Sequence, residues 1–336
     1  MIGARRSRPA RRVRRCEALS RLPAVVNYIS SPTLEEGQAG TLAGLQEAGF
    51  VDGENLNLQF YNAEGDRPTA ILIAKEATSG TFDRVITLST PVLQAVAGSN
   101  QDTQMHHIFT LTTDPWGAGI GIDREAPSKH PPYMTGIGTL QPIEAVLRAA
   151  LQANPKLNRV GVVWNPAEPN SEASTIKARE VCKKLGIESL ESTVESSTAV
   201  LDGTKALMAR DVQAFWVGGD STVSAALDTL IANARDGDVP VFTSMPADIE
   251  RGALFCLGAD YETVGHASGL IAGRVLAGAD PAQIPVENYA PEEFAINAVE
   301  IKNFQPTWKF PSDWRSRAQT IVDSRGVNEQ LTNPNQ

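Results

Sequence analysis

The sequence predicts an α/β fold made of two similar lobes, each built on a parallel sheet. Three observations lead there. From Leu22 onward short apolar runs alternate with helical patterns, the signature of βαβ units. The same order of elements then runs twice along the chain. Finally, the polar clusters fall just after strands, where ligands of parallel sheets bind beside helix N-termini.

Ala24 to Ile29 reads as the first strand. In Ser31-Pro32-Thr33-Leu34-Glu35-Glu36, Thr33 and Glu36 have capping-box spacing, and the helix they open runs to a stop at Gly49. Leu56 to Tyr61 alternates as the second strand, and Asp66 to Ser79 carries the second helix. Arg84 to Leu88 is the third strand; Ser89-Thr90-Pro91 then opens a helix with a hydroxyl cap and a proline in the first turn. His107 to Thr112 completes the set. In the second half the strands are Arg159–Trp164, Glu188–Val194, Ala214–Val217, Pro240–Ser244 and Leu254–Leu257. The helices between them start at Asn170-Ser171 and run to Gly186, span Val200 to Arg210, and start at Asp220-Ser221-Thr222 to reach Ala234.

The duplication has a steady offset. Gly49 and Gly186 are 137 positions apart, Thr90 and Thr222 are 132 apart, and Phe109 and Phe242 are 133 apart. The longer loop Phe50 to Asn55 absorbs the one drop. A repeat this long implies two lobes, not a solenoid of roughly 20–50-residue units.

The 336 residues are 42% apolar and 21% charged, which fits a globular two-domain protein and excludes a disordered or fibrous chain. No apolar run reaches the roughly 20 residues of a membrane-spanning helix. Net charge is −9, but residues 1–21 hold eight arginines against Glu17, so residues 22–336 carry −16. That acidic body excludes a general nucleic-acid surface, which needs clustered Lys and Arg. The Arg-rich head, residues 1–21, reads as a flexible solvated tail. It shows no apolar stretch of about 7–15 residues for a secretory signal, and Arg14 and Arg15 leave no lipid-attachment box before Cys16. Cys16, Cys182 and Cys256 are an odd number with no close pair, so no disulfide framework is indicated; Cys182 and Cys256 read as small buried hydrophobes.

Seven motifs, in order, resemble a known group: Pro32-Thr33-Leu34, Gly49 through Asn55, Ser89-Thr90-Pro91, Thr113 through Gly119, Thr135-Gly136, Glu168-Pro169-Asn170-Ser171 and Gly258-Ala259-Asp260-Tyr261. From about Leu22 to Phe304 the chain looks like the ABC-transporter substrate-binding family whose better-known members take up tryptophan and related aromatic amino acids. The resemblance implies a periplasmic-binding-protein type I fold, with two Rossmann-like lobes, three crossover strands and a hinged cleft. It also implies a periplasmic or extracytoplasmic receptor that delivers a small amino acid-like or carboxylate ligand to a permease and an ATPase. Two departures stand out: residues Ser128 to Met134 replace a Gly-Gly-Asn type turn, and the usual signal or anchor is not visible.

On this footing the expected division is a head (1–21), lobe 1 (22–138 plus 259–290), lobe 2 (139–258 plus 291–304) and a C-terminal tail (305–336), with the strand Phe294 to Val299 returning to lobe 2. Ser89-Thr90 and Asn170-Ser171 each set hydroxyl or amide groups beside free N–H donors at a helix start, which suits a carboxylate. Plain N-capping uses the same residue types. Asp114, Asp220 and Asp260 are candidates to accept a ligand ammonium, one or two of them in contact. Ser31, Thr113, Asn165, Glu168 and Ser221 complete the expected lining. Trp116 stacks on the ligand or packs under its loop, and Tyr28 and Trp164 are core or cleft wall.

Adjacent His106 and His107 point to opposite faces of a strand, a poor basis for a metal site. No Gly-x-Ser-x-Gly elbow, Walker lysine or Gly-x-Gly-x-x-Gly turn after the first strand is present. The expectation is therefore a monomeric binding protein with no catalytic residue, metal or cofactor. The competing class is a ligand-sensing effector of the same bilobed fold; only 21 residues precede the first lobe, where a DNA-reading headpiece needs roughly 50.

Overall fold

A computed structural model describes residues 22–330; the Arg-rich head, Cys16 within it, and residues 331–336 lie outside the described residues. The first half runs β1 (Pro23–Asn27), α1 (Pro32–Glu47), β2 (Gln59–Asn62), α2 (Arg67–Ala77), β3 (Arg84–Leu88), α3 (Thr90–Ser99), β4 (His107–Thr112) and β5 (Met134–Gly138). Next come α4 (Ile143–Ala153), β6 (Arg159–Trp164), α5 (Pro169–Leu185), β7 (Glu188–Thr193), α6 (Val200–Met208) and β8 (Ala214–Val217). They are followed by α7 (Ser221–Ala225), α8 (Leu227–Asp236), β9 (Val241–Thr243) and β10 (Phe255–Ala259). The described chain closes with α9 (Tyr261–Leu276), β11 (Glu287–Asn288), β12 (Glu292–Asn297), α10 (Trp314–Arg317), β13 (Thr320–Asp323) and β14 (Gly326–Glu329).

Two sheets form, ordered β11-β5-β4-β3-β1-β2 and β14-β13-β12-β10-β9-β8-β6-β7. Within them β2-β1-β3-β4-β5 and β7-β6-β8-β9-β10 have the same order and are parallel throughout, so the duplication seen in the sequence is a duplication of topology. The chain passes between the sheets three times. After β5 it enters α4, which packs on α5 and β10; after β10 it enters α9, which packs on α1 and β4; after β11 it returns as β12, antiparallel to β10.

Local chemistry explains the element ends. Ser31 caps α1 by accepting from Leu34 N at 3.3 Å, with Pro32 in the first turn, so the cap lies two residues before the expected Thr33. Gly186 ends α5 in the left-handed region that glycine favours, and Ile187 N closes the turn on Cys182 O at 2.9 Å. The helix expected from Asp220 to Ala234 is broken at Ala226 into α7 and α8. In the Gly49 to Asn55 motif, Asn55 bridges Val51 N and Gly49 O while Asp52 accepts from Leu58 N, a loop held by its own side chains. Against α1, α9 packs backbone to backbone: a Cβ on Gly265 would stand 2.0 Å from Gly37 O.

Residues 305–330 correct the expectation of a C-terminal tail. Trp308 and Trp314 are buried, β13 pairs parallel to β12, and β14 turns back on β13. Trp314 meets Phe255 and Phe294 edge-on, at 5.2 and 4.9 Å between ring centroids, and completes the core under the second sheet. The physical reason is that this segment anchors through single large aromatics separated by polar residues, a pattern with neither a helical nor a strand period. Cys182 and Cys256 are buried free thiols.

Candidate functional site

The carboxyl ends of β1, β3 and β4 from one sheet and of β8 and β9 from the other meet around a cavity of about 580 Å³, counting its open mouth. Its lining mixes hydroxyls and amides with the apolar side chains of Ile29, Leu34, Leu111, Val217 and Met245.

From the first sheet come Ser31 and Thr33 at the start of α1, Ser89 and Thr90 at the start of α3, and Thr113 after β4. Ser89 has φ 96° and ψ 158°, a conformation otherwise kept for glycine and worth about 1–3 kcal/mol of strain. Its side chain makes no cap bond to α3, and its buried Oγ has no hydrogen-bond partner. Thr90 Oγ1 accepts from Thr113 N at 3.3 Å, tying α3 to the end of β4. Leu111 is also left-handed, at φ 51°, where the register between β4 and β5 shifts. Bulges of this kind re-aim side chains beside binding sites.

The second sheet supplies Asn170, Gly218, Gly219, Asp220 and Ser221. Both Asp220 oxygens are spent on the protein: Oδ1 accepts from Val223 N at 2.7 Å, and Oδ2 from Asn165 N at 2.7 Å and Ser171 Oγ at 2.5 Å. Burial, and then the charge of Glu168, push the Asp220 carboxyl above the usual carboxylate range, while these three donors favour its ionised form. Glu168 precedes α5 but caps α7, accepting from Ser221 N at 2.8 Å, Thr222 N at 2.9 Å and Thr222 Oγ1 at 2.6 Å. Asn170 donates from Nδ2 to Glu168 Oε2 at 3.0 Å and to Gly219 O at 2.8 Å. Two acceptors on one side fix the amide's orientation. Its buried Oδ1 has no partner.

A third group comes from the turn between β9 and β10 and from the two crossings after β5 and β10. Asp248, in the short 3₁₀ turn Pro246–Arg251, is 3% exposed and lines the cavity, and burial pushes its carboxyl up to about 7. Tyr261, the first residue of α9, accepts from Gln141 Nε2 at 2.7 Å, while Gln141 Oε1 holds Ala259 N at 2.7 Å.

Of the residues expected at the site, Ser31, Ser89, Thr90, Thr113, Asn170, Asp220 and Ser221 come together around this cavity. Asn165, Glu168 and Ser171 stand behind it, fixing Asp220 and the start of α7. Asp114 and Asp260 are not part of it. Asp114 takes a salt bridge from Arg124 at 2.6 Å. Asp260 caps α9 through Thr263 N at 2.8 Å and faces a separate acidic hollow. Both follow strands and precede turns or helices, as Asp220 does, so their sequence setting is the same and only the folded surroundings separate them.

Trp116 packs in its loop with Arg124 5.1 Å above its ring, Trp164 belongs to the second sheet's core, and Tyr28 donates to Gly65 O at 2.7 Å. His107 is buried with Nε2 2.8 Å from Thr87 Oγ1, and burial lowers its pKa to about 3. Among the described residues no three His, Cys, Asp or Glu side chains are grouped to hold a metal ion, and no helix is long and apolar enough to cross a membrane. Asp248, Met245 and Tyr261 are site residues that sequence reasoning did not single out. The readable trace of them was Tyr261 in the Gly258 to Tyr261 motif.

With this geometry described, comparison with known proteins places the chain. It is 28% identical over 278 residues to a tyrosine-binding protein of Clostridioides difficile, covering 83% of this chain and 79% of that protein. A conserved domain protein from Vibrio cholerae superposes with a TM-score of 0.84 at 27% identity, over 90% of this chain and 99% of that one. An ABC domain from Streptococcus pneumoniae in complex with L-Trp gives 0.83 at 24% identity, over 90% and 100%. The ligand-free, open structure of a substrate-binding protein with adhesive properties from Clostridium difficile gives 0.67 at 25% identity, over 90% and 99%. These neighbours have the bilobed periplasmic-binding-protein type I fold. The family model described as ABC transporter substrate binding protein matches residues 23–307, and the chain belongs to that family.

Proposed function

We propose that this protein is the solute receptor of an ABC uptake transporter, and that it closes its two lobes over an amino acid with an aromatic side chain. The observation that carries this reading is the pair of unpartnered polar atoms in one cavity, Ser89 Oγ from one sheet and Asn170 Oδ1 from the other. Buried polar atoms are nearly always paired in a native protein. Two missing bonds on residues that line one cavity therefore suit a ligand that supplies them.

The helix starts support the same ligand. α1 and α7 are closed by side-chain caps, whereas α3 and α5 have none. Their free N–H groups suit a carboxylate, with Thr90 and Asn170 beside them, and Asn170 Oδ1 suits the ammonium. Among the described residues no Lys or Arg lines the cavity, so recognition of the carboxylate falls to backbone donors and hydroxyls. The apolar side chains between these polar groups leave room for an apolar or aromatic ligand side chain.

The closer superposition on the L-Trp complex than on the open, ligand-free relative fits lobes drawn together, and Arg67 Nη1 donates across to Ala167 O at 3.2 Å. A receptor in this role works outside the cytoplasm as a monomer, hands its ligand to a permease driven by an ATPase, and catalyses no reaction. Titration calorimetry and thermal shifts across an amino-acid panel, with mass spectrometry of the small molecule released from gently purified protein, test the proposal. The bound ligand should stabilise the fold by about 2.7 kcal/mol at a hundredfold excess over Kd. A folded protein that responds to no amino acid refutes it.

A further inference from the structure

We propose that Asp248 selects the ligand's side chain, its carboxylate accepting a hydrogen bond from a hydroxyl at the end of an aromatic ring, so that a phenol is preferred to a plain phenyl. This rests on the amino-acid reading above and adds a residue that decides which amino acid is held.

Among the described residues, Asp220 and Asp248 are the acidic side chains that line the cavity. They differ in what remains unsatisfied. Asp220 is wrapped by three donors at 2.5 to 2.7 Å and is a structural clamp. Asp248 is as deeply buried but less well served. Arg251 Nη1 lies 3.6 Å from Oδ1, beyond ordinary hydrogen-bond length. That guanidinium is engaged elsewhere, by Asp228 Oδ1 at 2.8 Å and Ser224 O at 3.0 Å. The nearby Thr243 hydroxyl favours the Asp248 carboxylate but directs its proton to Met245 O at 2.9 Å.

The other groups around Asp248 do not neutralise it. Glu36 from α1 and Asp228 at the start of α8 are acids, while Cys256 from β10 and Tyr261 from α9 have their ionisation suppressed by burial. A buried carboxylate whose one cation, at 3.6 Å, is shared with Asp228 and Ser224 O gains from a further donor. Leu34, Val217, Met245 and Tyr261 line the same cavity, so the group that reaches Asp248 arrives on an apolar body. A phenyl ring would fill that space and leave the carboxyl unpaired. A phenol fills it and pairs the carboxyl. Sites that hydrogen-bond a ligand hydroxyl reject the analogue lacking it far more strongly than apolar pockets reject an extra methylene.

The test is calorimetric: tyrosine, phenylalanine, tryptophan and lysine are titrated into the full chain, wild type and Asp248→Leu, at pH 8. Wild type should bind tyrosine at least about tenfold tighter than phenylalanine. Asp248→Leu should erase or invert that ratio while keeping its affinity for phenylalanine, which shows that the rest of the site is intact. If Asp248→Leu does not fold, Asp248→Asn is used instead. Its amide donates as well as accepts and lacks the charge, so the ratio should fall several-fold. Equal wild-type affinities for tyrosine and phenylalanine, an unchanged ratio in the variant, or a preference for lysine would overturn the assignment while leaving the amino-acid reading standing. A folded wild type that binds none of the four overturns both.

Discussion

Replacing Ser89 with glycine should make the empty protein more stable and its grip on ligand weaker. The magnitude follows from two features of this residue. Its backbone at φ 96° and ψ 158° lies where a side chain is strained by about 1–3 kcal/mol. Its hydroxyl is buried without a partner, a further desolvation penalty of about 1–3 kcal/mol. Glycine removes both and gives back roughly 0.5–1 kcal/mol through the freedom it adds to the unfolded chain. A net gain of about 1–5 kcal/mol should result, raising Tm by about 2 °C per kcal/mol for a chain of this size.

Bound ligand should behave in the opposite sense, because the hydroxyl that is unpaired in the empty cavity then has a partner. Losing it removes about 1 kcal/mol of binding, roughly a fivefold rise in Kd. Ser89→Ala separates the two effects, since it keeps the strained Cβ and deletes only the hydroxyl. Thermal melts with and without a saturating aromatic amino acid read both quantities from one experiment. A glycine variant that melts below wild type when empty, or whose ligand-induced shift equals that of wild type, would refute the reasoning.

Asp248→Asn should stabilise the empty protein at pH 8 and leave it unchanged at pH 4. The folded-state pKa is raised from 3.8 to about 7, so between those values the folded form holds a proton that the unfolded chain has lost, and stability falls as pH rises through that window. At about 1.4 kcal/mol per pH unit the upper bound of the gain is about 4 kcal/mol, and a urea midpoint difference equal at both pH values would contradict it. Gly265→Ala should cost about 1–3 kcal/mol of stability or more, seen as a lower urea midpoint, because the new methyl meets Gly37 O at 2.0 Å and forces α1 from α9; a midpoint matching wild type would show that the helices yield freely. Trp314→Ala should cost about 3–5 kcal/mol, and truncation after Phe304 should abolish cooperative unfolding of the second sheet, as followed by circular dichroism.

Much of this architecture was legible because buried parallel strands are continuous apolar runs, and Arg84–Leu88, His107–Thr112 and Arg159–Trp164 coincide with β3, β4 and β6. β5 was hidden by its composition. Met134-Thr135-Gly136-Ile137-Gly138 carries two glycines after a Pro-Pro pair, and a Cβ on Gly136 would stand 2.1 Å from Phe109 O, so the strand keeps its place by having no side chain there. α4 is a different case, since Ile143, Val146, Leu147, Ala150 and Ala153 repeat with a plain helical period, yet no helix was expected over that stretch. The segment after Phe304 escaped because its anchors are single tryptophans that find their partners only across the folded core.

The site was half legible for a related reason. Hydroxyls and amides at helix starts after strands are visible in a sequence, but capping and ligand binding call for the same residue types. Ser31 and Ser89 are both serines at the N-cap of a helix that follows a strand. Ser31, at φ −152°, turns its hydroxyl onto Leu34 N and closes its helix. Ser89, at φ 96°, makes no such bond and leaves α3 open toward the cavity. The difference lies in a backbone conformation that the fold imposes, and no residue type encodes it. Asp220 and Asp248 invert the lesson. The acid that the sequence marks, in Asp220-Ser221-Thr222, is consumed by three protein donors, whereas the acid buried in an unremarked 3₁₀ turn is left short of them. Unfilled bonding capacity in a buried place is what separates a recognition residue from a capping one, and it exists only once the two sheets and the chain that crosses between them are assembled.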